Sequence, residues 1–252
     1  MFDLTGRVAV VTGASSGLGV QFAKVLAEQG ADVALLARRV EKLEQVAADI
    51  RKKGRKALAV GCDVTKTESV RAARDAVIKE FGKVDILVNN AGGSASGPAE
   101  ELPDEDWKHT MDLNINSIFV CCREFGGEML KKGYGRIINI ASMYGLVGNN
   151  FQPATPYHAS KGAVVNFTRA LGAEWAKKGV TVNAIGPGFF DSELTHSFVD
   201  AKPFLDAVSV YCPMGRVGKA GELNSALVCL AADESSYTTG STVYVDGGWT
   251  AI

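Results

Sequence analysis

The chain has 252 residues, of which 46% are hydrophobic, so it can fill one large core and we expect a single domain over residues 1–252. Lys and Arg number 27 against 28 Asp and Glu, which gives a formal net charge of −1. With this net charge, the protein has no overall positive potential that would attract nucleic acid or an anionic membrane. Any polyanion that binds must therefore be small and be bound by a local group of residues.

Short β-branched runs alternate with longer amphipathic stretches along the chain. The β-branched runs predict strands at 8–11, 33–36, 57–60, 86–89, 137–140, 181–185 and 242–245. The amphipathic stretches predict helices near 18–29, 40–53, 67–80, 105–131, 157–177 and 222–232. This alternation is typical of an α/β fold, and it predicts a Rossmann-type, doubly wound parallel sheet of about seven strands with helices on both faces.

One stretch, 186–221, shows no regular period. Pro187, Pro203 and Pro213 interrupt it, and aromatic side chains are concentrated in it. A long, aromatic and poorly periodic segment near a functional site predicts a substrate lid, which we place at about 188–221.

Cysteine and histidine usage bears on compartment and metal binding. The five cysteines are scattered, with no C-x-x-C pair, and the three histidines lack metal-ligand spacing, so we expect reduced thiols and no metal. The opening residues lack the basic stretch and apolar core of a signal peptide, and no apolar run approaches about 18 residues. We therefore expect a cytoplasmic protein that binds neither nucleic acid nor membrane.

A glycine-rich turn follows the first predicted strand and precedes a helix. Gly13, Gly17 and Gly19 give it the spacing G-x-x-x-G-x-G, which departs from the general dinucleotide fingerprint G-x-G-x-x-G. Glycine lets backbone N–H groups and the helix N-terminus approach a pyrophosphate closely. The turn therefore indicates a dinucleotide site, with an ordinary tight connection as the alternative.

Tyr157 and Lys161 stand four residues apart in a predicted helix, so they share one face. We expect the ammonium group to stabilise a phenolate and to lower the pKa of Tyr157 from its reference of about 10. That would make Tyr157 a proton donor near neutral pH. The alternative is a half-buried aromatic side chain beside a solvated lysine.

Further motifs stand in a consistent order: Asn90-Ala91-Gly92 after the fourth predicted strand, Asn114, Ser142 after the fifth, Pro187-Gly188, and Val245-Asp246-Gly247-Gly248. With them, the chain resembles the short-chain dehydrogenase/reductases from about residue 4 to its end. In motif detail it is most similar to the branch of gluconate 5-dehydrogenases and 3-oxoacyl reductases. The resemblance implies an NAD(P)-dependent oxidoreductase that interconverts a secondary alcohol and a ketone. The alternative is a non-catalytic dinucleotide-binding sensor or assembly subunit.

The resemblance assigns catalytic roles to Asn114, Ser142, Tyr157 and Lys161. Tyr157 would be the general acid and base, and Ser142 would hydrogen-bond the reacting oxygen. Lys161 would also bind the nicotinamide ribose, and Asn114 would hold a water that links the lysine to solvent. As alternatives, Ser142 starts a turn and Asn114 bridges backbone groups.

The same resemblance implies a set of cofactor contacts, among which Asp63 and Val64 would meet adenine and Ser192 the nicotinamide carboxamide. For Asp63 or Thr65, and for Ser192, a helix N-cap is the alternative. The full expected set is Gly13, Ser15, Ser16, Gly17, Leu18, Gly19, Arg38, Arg39, Asp63, Val64, Asn90, Ala91, Gly92, Tyr157, Lys161, Pro187, Gly188, Phe190 and Ser192.

The end of the second predicted strand bears on the choice of cofactor. Ala37 stands where NAD-preferring relatives carry Asp, and the guanidinium of Arg38 could grip a 2′-phosphate. We therefore expect NADP(H), with NAD(H) as the alternative. Against this, Arg38 and Arg39 could be solvated charges, and Ser16 occupies a slot where many NADP-preferring relatives carry a basic residue.

The substrate and the assembly are predicted from the interval before Tyr157 and from the family resemblance. The interval between Ser142 and Tyr157 mixes apolar and amide side chains, which suits a keto-sugar acid, whereas an aromatic lid suits a hydroxysteroid or a 3-oxoacyl thioester. The resemblance implies a homotetramer built by helices near 105–131 and 157–177. The residues of the interval are Met143, Tyr144, Leu146, Val147, Asn149, Asn150, Phe151 and Gln152.

Overall fold

The computed structural model describes residues 2–149, 153–191, 195–196 and 199–252. Its strands are β1 (Val8–Thr12), β2 (Asp32–Ala37), β3 (Ala57–Gly61), β4 (Ile86–Asn89), β5 (Gly135–Ile140), β6 (Val180–Pro187) and β7 (Thr242–Val245). Its α-helices are α1 (Gly17–Glu28), α2 (Val40–Lys52), α3 (Thr67–Phe81), α4 (Asp104–Met111), α5 (Ser117–Lys132), α6 (Thr155–Trp175), α7 (Lys202–Tyr211) and α8 (Asn224–Ala231).

The seven strands form one sheet in the order β3-β2-β1-β4-β5-β6-β7, and every neighbouring pair is parallel. The predicted doubly wound α/β sheet is confirmed. The order reverses between β1 and β4, where the chain leaves one half of the sheet and starts the other. In such sheets ligands bind outside the carboxyl ends of the strands at this switch point, so the glycine turn after β1 opens onto the expected cleft.

Alternate residues along β1 to β5 contribute to two separate cores, one on each face of the sheet. On β1, Ala9 and Val11 join the core covered by α1, α2 and α8, whereas Val10 joins the core under α3, α5 and α6. Because both faces are covered, β1 is apolar at nearly every position and buried throughout. This buried sheet is the rigid base from which the loops at its carboxyl edge project.

The long helix predicted at 105–131 is interrupted. A π-helical turn, Asp112–Asn116, separates α4 from α5. It accommodates an extra residue, and Asn114 within it is fully buried, with its side-chain amide bonded to the backbone of Gly93. These tertiary hydrogen bonds, which periodicity does not reveal, favour the interruption.

The stretch 186–221 is more regular than predicted, because β6 continues to Pro187 and α7 begins at Lys202. Pro203 lies in the first turn of α7. Backbone N–H groups in the first turn of a helix have no acceptor within the helix, so the absence of an N–H in proline costs no hydrogen bond there. Val208 of α7 and Cys212 directly after the helix pack against Trp249. The structure therefore places a short helix over the carboxyl edge of the sheet. Among the described residues, no helix combines the length and the hydropathy needed to cross a lipid bilayer.

Candidate active site

The glycine turn is closed by contacts that leave no room for side chains. An ideal Cβ on Gly19 would lie 2.2 Å from the carbonyl oxygen of Gly13, and one on Gly13 would lie 2.9 Å from Nδ2 of Asn90. Gly13 also has a φ of +66°, which favours glycine. Asn90 Nδ2 donates a 2.9 Å hydrogen bond to the carbonyl of Thr12, tying the exit of β4 to the turn. The backbone is thus packed into a cradle at the N-terminus of α1, as a pyrophosphate site requires.

The second arginine after β2 supports this cradle. Arg39 donates to the hydroxyls of Ser15 and Ser16, from Nη2 at 3.1 and 2.8 Å. Arg38 is exposed and lines the same cavity. The two arginines both line the cavity but differ, because Arg39 is half-buried and holds the turn whereas Arg38 is exposed.

Asp63 and Val64 line the cavity beyond the end of β3. Asp63 accepts hydrogen bonds from the backbone N–H and the hydroxyl of Thr65, at 3.0 and 2.7 Å. Because α3 begins at Thr67, with Lys66 before it, neither Asp63 nor Thr65 is its N-cap residue. The carboxylate instead shapes a tight loop against the cavity.

Ser142, Tyr157 and Lys161 come together on the other side of the cleft. Lys161 is 4% exposed, and its Nζ donates a 2.8 Å hydrogen bond to the carbonyl of Ile140 at the end of β5. The same Nζ lies 5.5 Å from the centroid of the Tyr157 ring. All three side chains line one cavity of about 480 Å³ that also contains the glycine turn and Arg38.

The predicted lowering of the pKa of Tyr157 by Lys161 is wrong. Burial raises the pKa of Tyr157, although its hydrogen bond with Ser142 acts in the opposite direction. Burial also lowers the pKa of Lys161 to about 8, because the low-dielectric surroundings disfavour the ammonium form. Tyr157 is consequently a protonated phenol at neutral pH, the form that gives a proton to a carbonyl oxygen.

The buried lysine makes stability depend on pH. Its pKa is about 8 in the folded chain against an ordinary 10.5, so between these values the unfolded chain binds more protons and folding becomes more favourable as pH rises. We expect the stability of the wild type relative to Lys161→Met to increase by as much as about 3 kcal/mol across this window. Urea unfolding at several pH values measures it, with the exposed Lys177→Met as control. Parallel curves for wild type and Lys161→Met would contradict the assignment.

Asn114 does not line the cavity but lies directly behind it. Its Nδ2 donates to the carbonyl of Gly93 and to the hydroxyl of Ser160, and its Oδ1 accepts from the N–H of Gly93. An ideal Cβ on Gly92 would lie 3.2 Å from Asn114 Oδ1 and 3.5 Å from Lys161 Nζ. The side chain of Asn114 therefore bridges backbone groups, which is the alternative that the sequence analysis gave to a water-holding role. It does so close to the Nζ of Lys161.

Residues at and after the end of β6 complete the cavity. Pro187, Gly188 and Phe190 line it, and Phe190 is 5% exposed against the backbone of Gly218. Ser192 lies outside the described residues, as do residues 150–152 of the interval before Tyr157. Gly19 lies behind the turn and, like Asn114, is absent from the cavity wall.

Several cavity residues were missed by the motifs. Ile140 and Ala141 end β5 immediately before Ser142, so the strand boundary could have indicated them, whereas nothing in the sequence distinguishes His109. The further lining residues that sequence reasoning did not assign are Leu36, Ala37, Cys62, Thr65, Gly93, His109, Leu113, Ile140, Ala141 and Thr195.

Known proteins match this chain over its whole length. A family model for short chain dehydrogenases matches residues 7–203. The D-threitol dehydrogenase of Mycolicibacterium smegmatis is 40% identical over 249 residues, covering 99% of this chain and 95% of that protein. The gluconate 5-dehydrogenase of Gluconobacter oxydans is 36% identical over 250 residues, covering 99% and 97% respectively. A crystal structure of a gluconate 5-dehydrogenase from Burkholderia cenocepacia with NADP and tartrate has a TM-score of 0.95 at 36% identity, covering 100% of this chain and 98% of that one.

The doubly wound sheet, the glycine cradle and the Ser-Tyr-Lys cluster define a dinucleotide-dependent oxidoreductase. The chain belongs to the short-chain dehydrogenase/reductase family, close to its gluconate 5-dehydrogenase branch. It interconverts a secondary alcohol and a ketone, and its relatives include enzymes named for sugar acids, polyols and 3-oxoacyl substrates. The catalytic alternative is thus favoured over a non-catalytic sensor or assembly subunit.

Proposed function

We propose that this chain is an NADP(H)-preferring carbonyl reductase and alcohol dehydrogenase in which Tyr157 transfers the proton. One observation carries the proposal: the cavity that contains Ser142, Tyr157 and Lys161 is continuous with the glycine cradle and Arg38. The cradle at Gly13 and Gly19 fits a dinucleotide, because the absence of side chains at these two positions lets the turn pack against Asn90 and so sets the backbone that borders the cavity at the N-terminus of α1.

The chemistry follows from the residues of the cavity. When bound, a reduced nicotinamide supplies the hydride, with its two electrons, to the carbonyl carbon. Tyr157, protonated at neutral pH, donates its phenol proton to the carbonyl oxygen, and its phenolate takes a proton from the alcohol in the reverse direction. The hydroxyl of Ser142 donates a hydrogen bond to the same oxygen and stabilises the charge that develops there.

Lys161 and Asn114 act behind the phenol. The Nζ of Lys161 is positioned by the carbonyl of Ile140, from where its charge stabilises the phenolate left after proton transfer and its remaining protons bind ribose hydroxyls. Asn114 fixes the loop at Gly93 beside the lysine, and we propose that a water held near Asn114 returns the proton to Lys161.

We propose that residues at the end of β2 make the protein prefer NADP(H) over NAD(H). The neutral side chain of Ala37 offers no carboxylate to repel a 2′-phosphate, and the exposed guanidinium of Arg38 can bind it with paired donors. The exposed position of Arg38 supports this role, because Arg39 is already engaged with Ser15 and Ser16.

Replacing Arg38 by Ala is expected to weaken NADPH binding by roughly 10- to 100-fold, the value of one hydrogen bond to a charged group. NADH carries no 2′-phosphate, so its affinity should change by no more than about twofold. Fluorescence titration of both nucleotides measures the ratio, and Lys42→Ala, which removes an exposed charge from α2 outside the cavity, is the control. An unchanged preference in Arg38→Ala would refute the phosphate clamp.

We also propose a cytoplasmic homotetramer. Its support is the exposed aromatic side chains of Trp107 on α4 and Phe119 on α5, at 41% and 49% exposure, together with the exposed C-terminal Ile252. Sedimentation velocity would measure the mass of the assembly.

The five cysteines are unpaired thiols, which suits the reducing compartment that we propose.

We further propose that the segment at about 188–221, including α7, closes over substrate.

A further inference from the structure

His109 is an exposed histidine in the cavity wall that has no part in the proposed chemistry. It lies in the last turn of α4, one helical turn before Leu113, and both residues line the same cavity. The next residue, Thr110, is buried, and its hydroxyl accepts a 3.3 Å hydrogen bond from the N–H of Ala95. This bond ties the end of α4 to the loop after β4, so the backbone that carries His109 is held in place beside the cavity.

The stretch of cavity wall next to His109 is apolar. Val64 after β3, Ala91 after β4 and Leu113 line the cavity, and all three pack on the core under α3, α5 and α6. We call these three residues the apolar wall. Gly93 allows Leu113 to pack closely, because an ideal Cβ there would lie 3.0 Å from its Cδ2. Leu113 is half-buried and His109 is exposed, so the histidine extends the apolar wall towards solvent.

Aromatic rings are few in this cavity. Among the described residues that line it, three are aromatic: His109, Tyr157 and Phe190. Tyr157 is the proposed proton donor, and Phe190 follows β6, the strand next to β5. These two rings therefore stand at the end of the cavity where the carbonyl reacts. His109 is the aromatic ring that adjoins the apolar wall.

The proposed function sets the two ends of the bound nucleotide. The nicotinamide lies at Tyr157, and the 2′-phosphate lies at Arg38. Arg38 follows β2, which is three strand spacings, or about 14 Å, from β5. Adenine is carried by the ribose that bears the 2′-phosphate, so it lies away from Tyr157. Because its ring is flat and largely apolar, it fits against the apolar wall, with His109 at the outer edge.

We propose that His109 is a cofactor-binding residue whose imidazole ring stacks on the adenine of the nucleotide, and that it strengthens the binding of NADP(H) and NAD(H) equally. This inference rests on the proposed function, because Tyr157 and Arg38 mark the two ends of the nucleotide. Stacking of a base on an aromatic side chain requires two π faces and no charge. His109 therefore contributes affinity through its ring, whereas Arg38 contributes the preference for a 2′-phosphate through its charge.

Three substitutions of His109 separate stacking from charge, with fluorescence titration of NADPH and NADH as the measurement. His109→Ala removes the ring, His109→Phe keeps an aromatic ring without a charge, and His109→Lys keeps a charge without a ring. We expect the Ala and Lys variants to bind both nucleotides roughly 5- to 50-fold more weakly, within the usual value of one base–aromatic stack. His109→Phe should stay within about threefold of wild type. The control Lys108→Ala, which changes an exposed neighbour outside the cavity wall, should bind as wild type.

A fragment of the cofactor locates the contact. Adenosine 2′,5′-bisphosphate carries the adenine and the 2′-phosphate but no nicotinamide, and its affinity is measured by displacement of bound NADPH. We expect His109→Ala to weaken its binding by the same factor as that of NADPH. The KM for a ketone at saturating NADPH should stay within about twofold of wild type, because the ring lies away from Tyr157.

Each other outcome has a defined meaning. Full nucleotide affinity in His109→Ala would overturn the proposal. Affinity retained in His109→Lys and lost in His109→Phe, or a loss for NADPH without a loss for NADH, would replace stacking by a charge contact and also overturn it. A loss for NADPH without a loss for the bisphosphate, or a raised KM for the ketone, would move His109 to the other end of the nucleotide and overturn it as well. A wild type that binds neither NADPH nor NADH contradicts the proposed function itself.

Discussion

Replacing Tyr157 by Phe is expected to lower kcat/KM for ketone reduction by roughly 10²- to 10⁴-fold, the usual contribution of a positioned general acid. The substitution removes one oxygen and keeps the ring that Lys161 Nζ approaches at 5.5 Å from its centroid. Because the phenol is protonated at neutral pH, the loss should be large in the reductive direction under ordinary buffer conditions.

Cofactor binding separates this effect from misfolding. Tyr157→Phe should keep its NADPH dissociation constant within a few-fold, since Lys161 and the glycine turn remain. Tyr237→Phe makes the same chemical change on the surface and should behave as wild type. If Tyr157→Phe retained full turnover, Tyr157 could not be the proton donor.

The second large effect is expected at Gly19. Adding a methyl group there places a Cβ about 2.2 Å from the carbonyl oxygen of Gly13, so the turn must move rather than a flexible side chain. We expect Gly19→Ala to destabilise the fold by roughly 1–3 kcal/mol, as overpacking does. It should also weaken NADPH binding by roughly 100-fold, because displaced N–H groups lose their hydrogen bonds to a charged phosphate.

Gly127→Ala is the matched control for Gly19→Ala. Both glycines are helical, but an ideal Cβ on Gly127 meets no atom within 4 Å. Its substitution should stabilise the chain by roughly 0.5–1 kcal/mol, the helix preference of Ala over Gly, and leave NADPH binding unchanged. Chemical denaturation and nucleotide titration of both variants measure this difference. Equal behaviour of the two would contradict the proposed cradle.

The doubly wound parallel sheet and the location of the cleft could be predicted because they follow from the alternation of strands and helices along the chain. The strand at 86–89 was predicted with the bounds of β4, and the parallel topology follows from the repeated strand–helix order. The catalytic motifs could be predicted because they follow particular strands, as Ser142 follows β5. The topology and the motif positions can both be recognised from residues that lie close together in the sequence.

What could not be predicted depends on contacts between distant residues. The π-helical turn at Asp112–Asn116 is favoured by bonds from Asn114 to Gly93 and Ser160, which the helical period of 105–131 does not reveal. The pKa of Tyr157 was predicted from its spacing to Lys161, whereas burial determines it. The role of Arg39 was missed because its bonds to Ser15 and Ser16 join two separate loops.

A single-turnover experiment tests most directly whether one cavity unites the dinucleotide site with Tyr157. Excess protein is mixed with NADPH and a ketone that the wild type reduces in the steady state, and the absorbance of the reduced nicotinamide is followed, so that product release does not limit the rate. We predict that wild type consumes the NADPH in one phase with formation of an equivalent of alcohol, whereas Tyr157→Phe binds the nucleotide and leaves it reduced. Equal rates in both proteins, or a wild type that binds neither NADPH nor NADH, would contradict this arrangement.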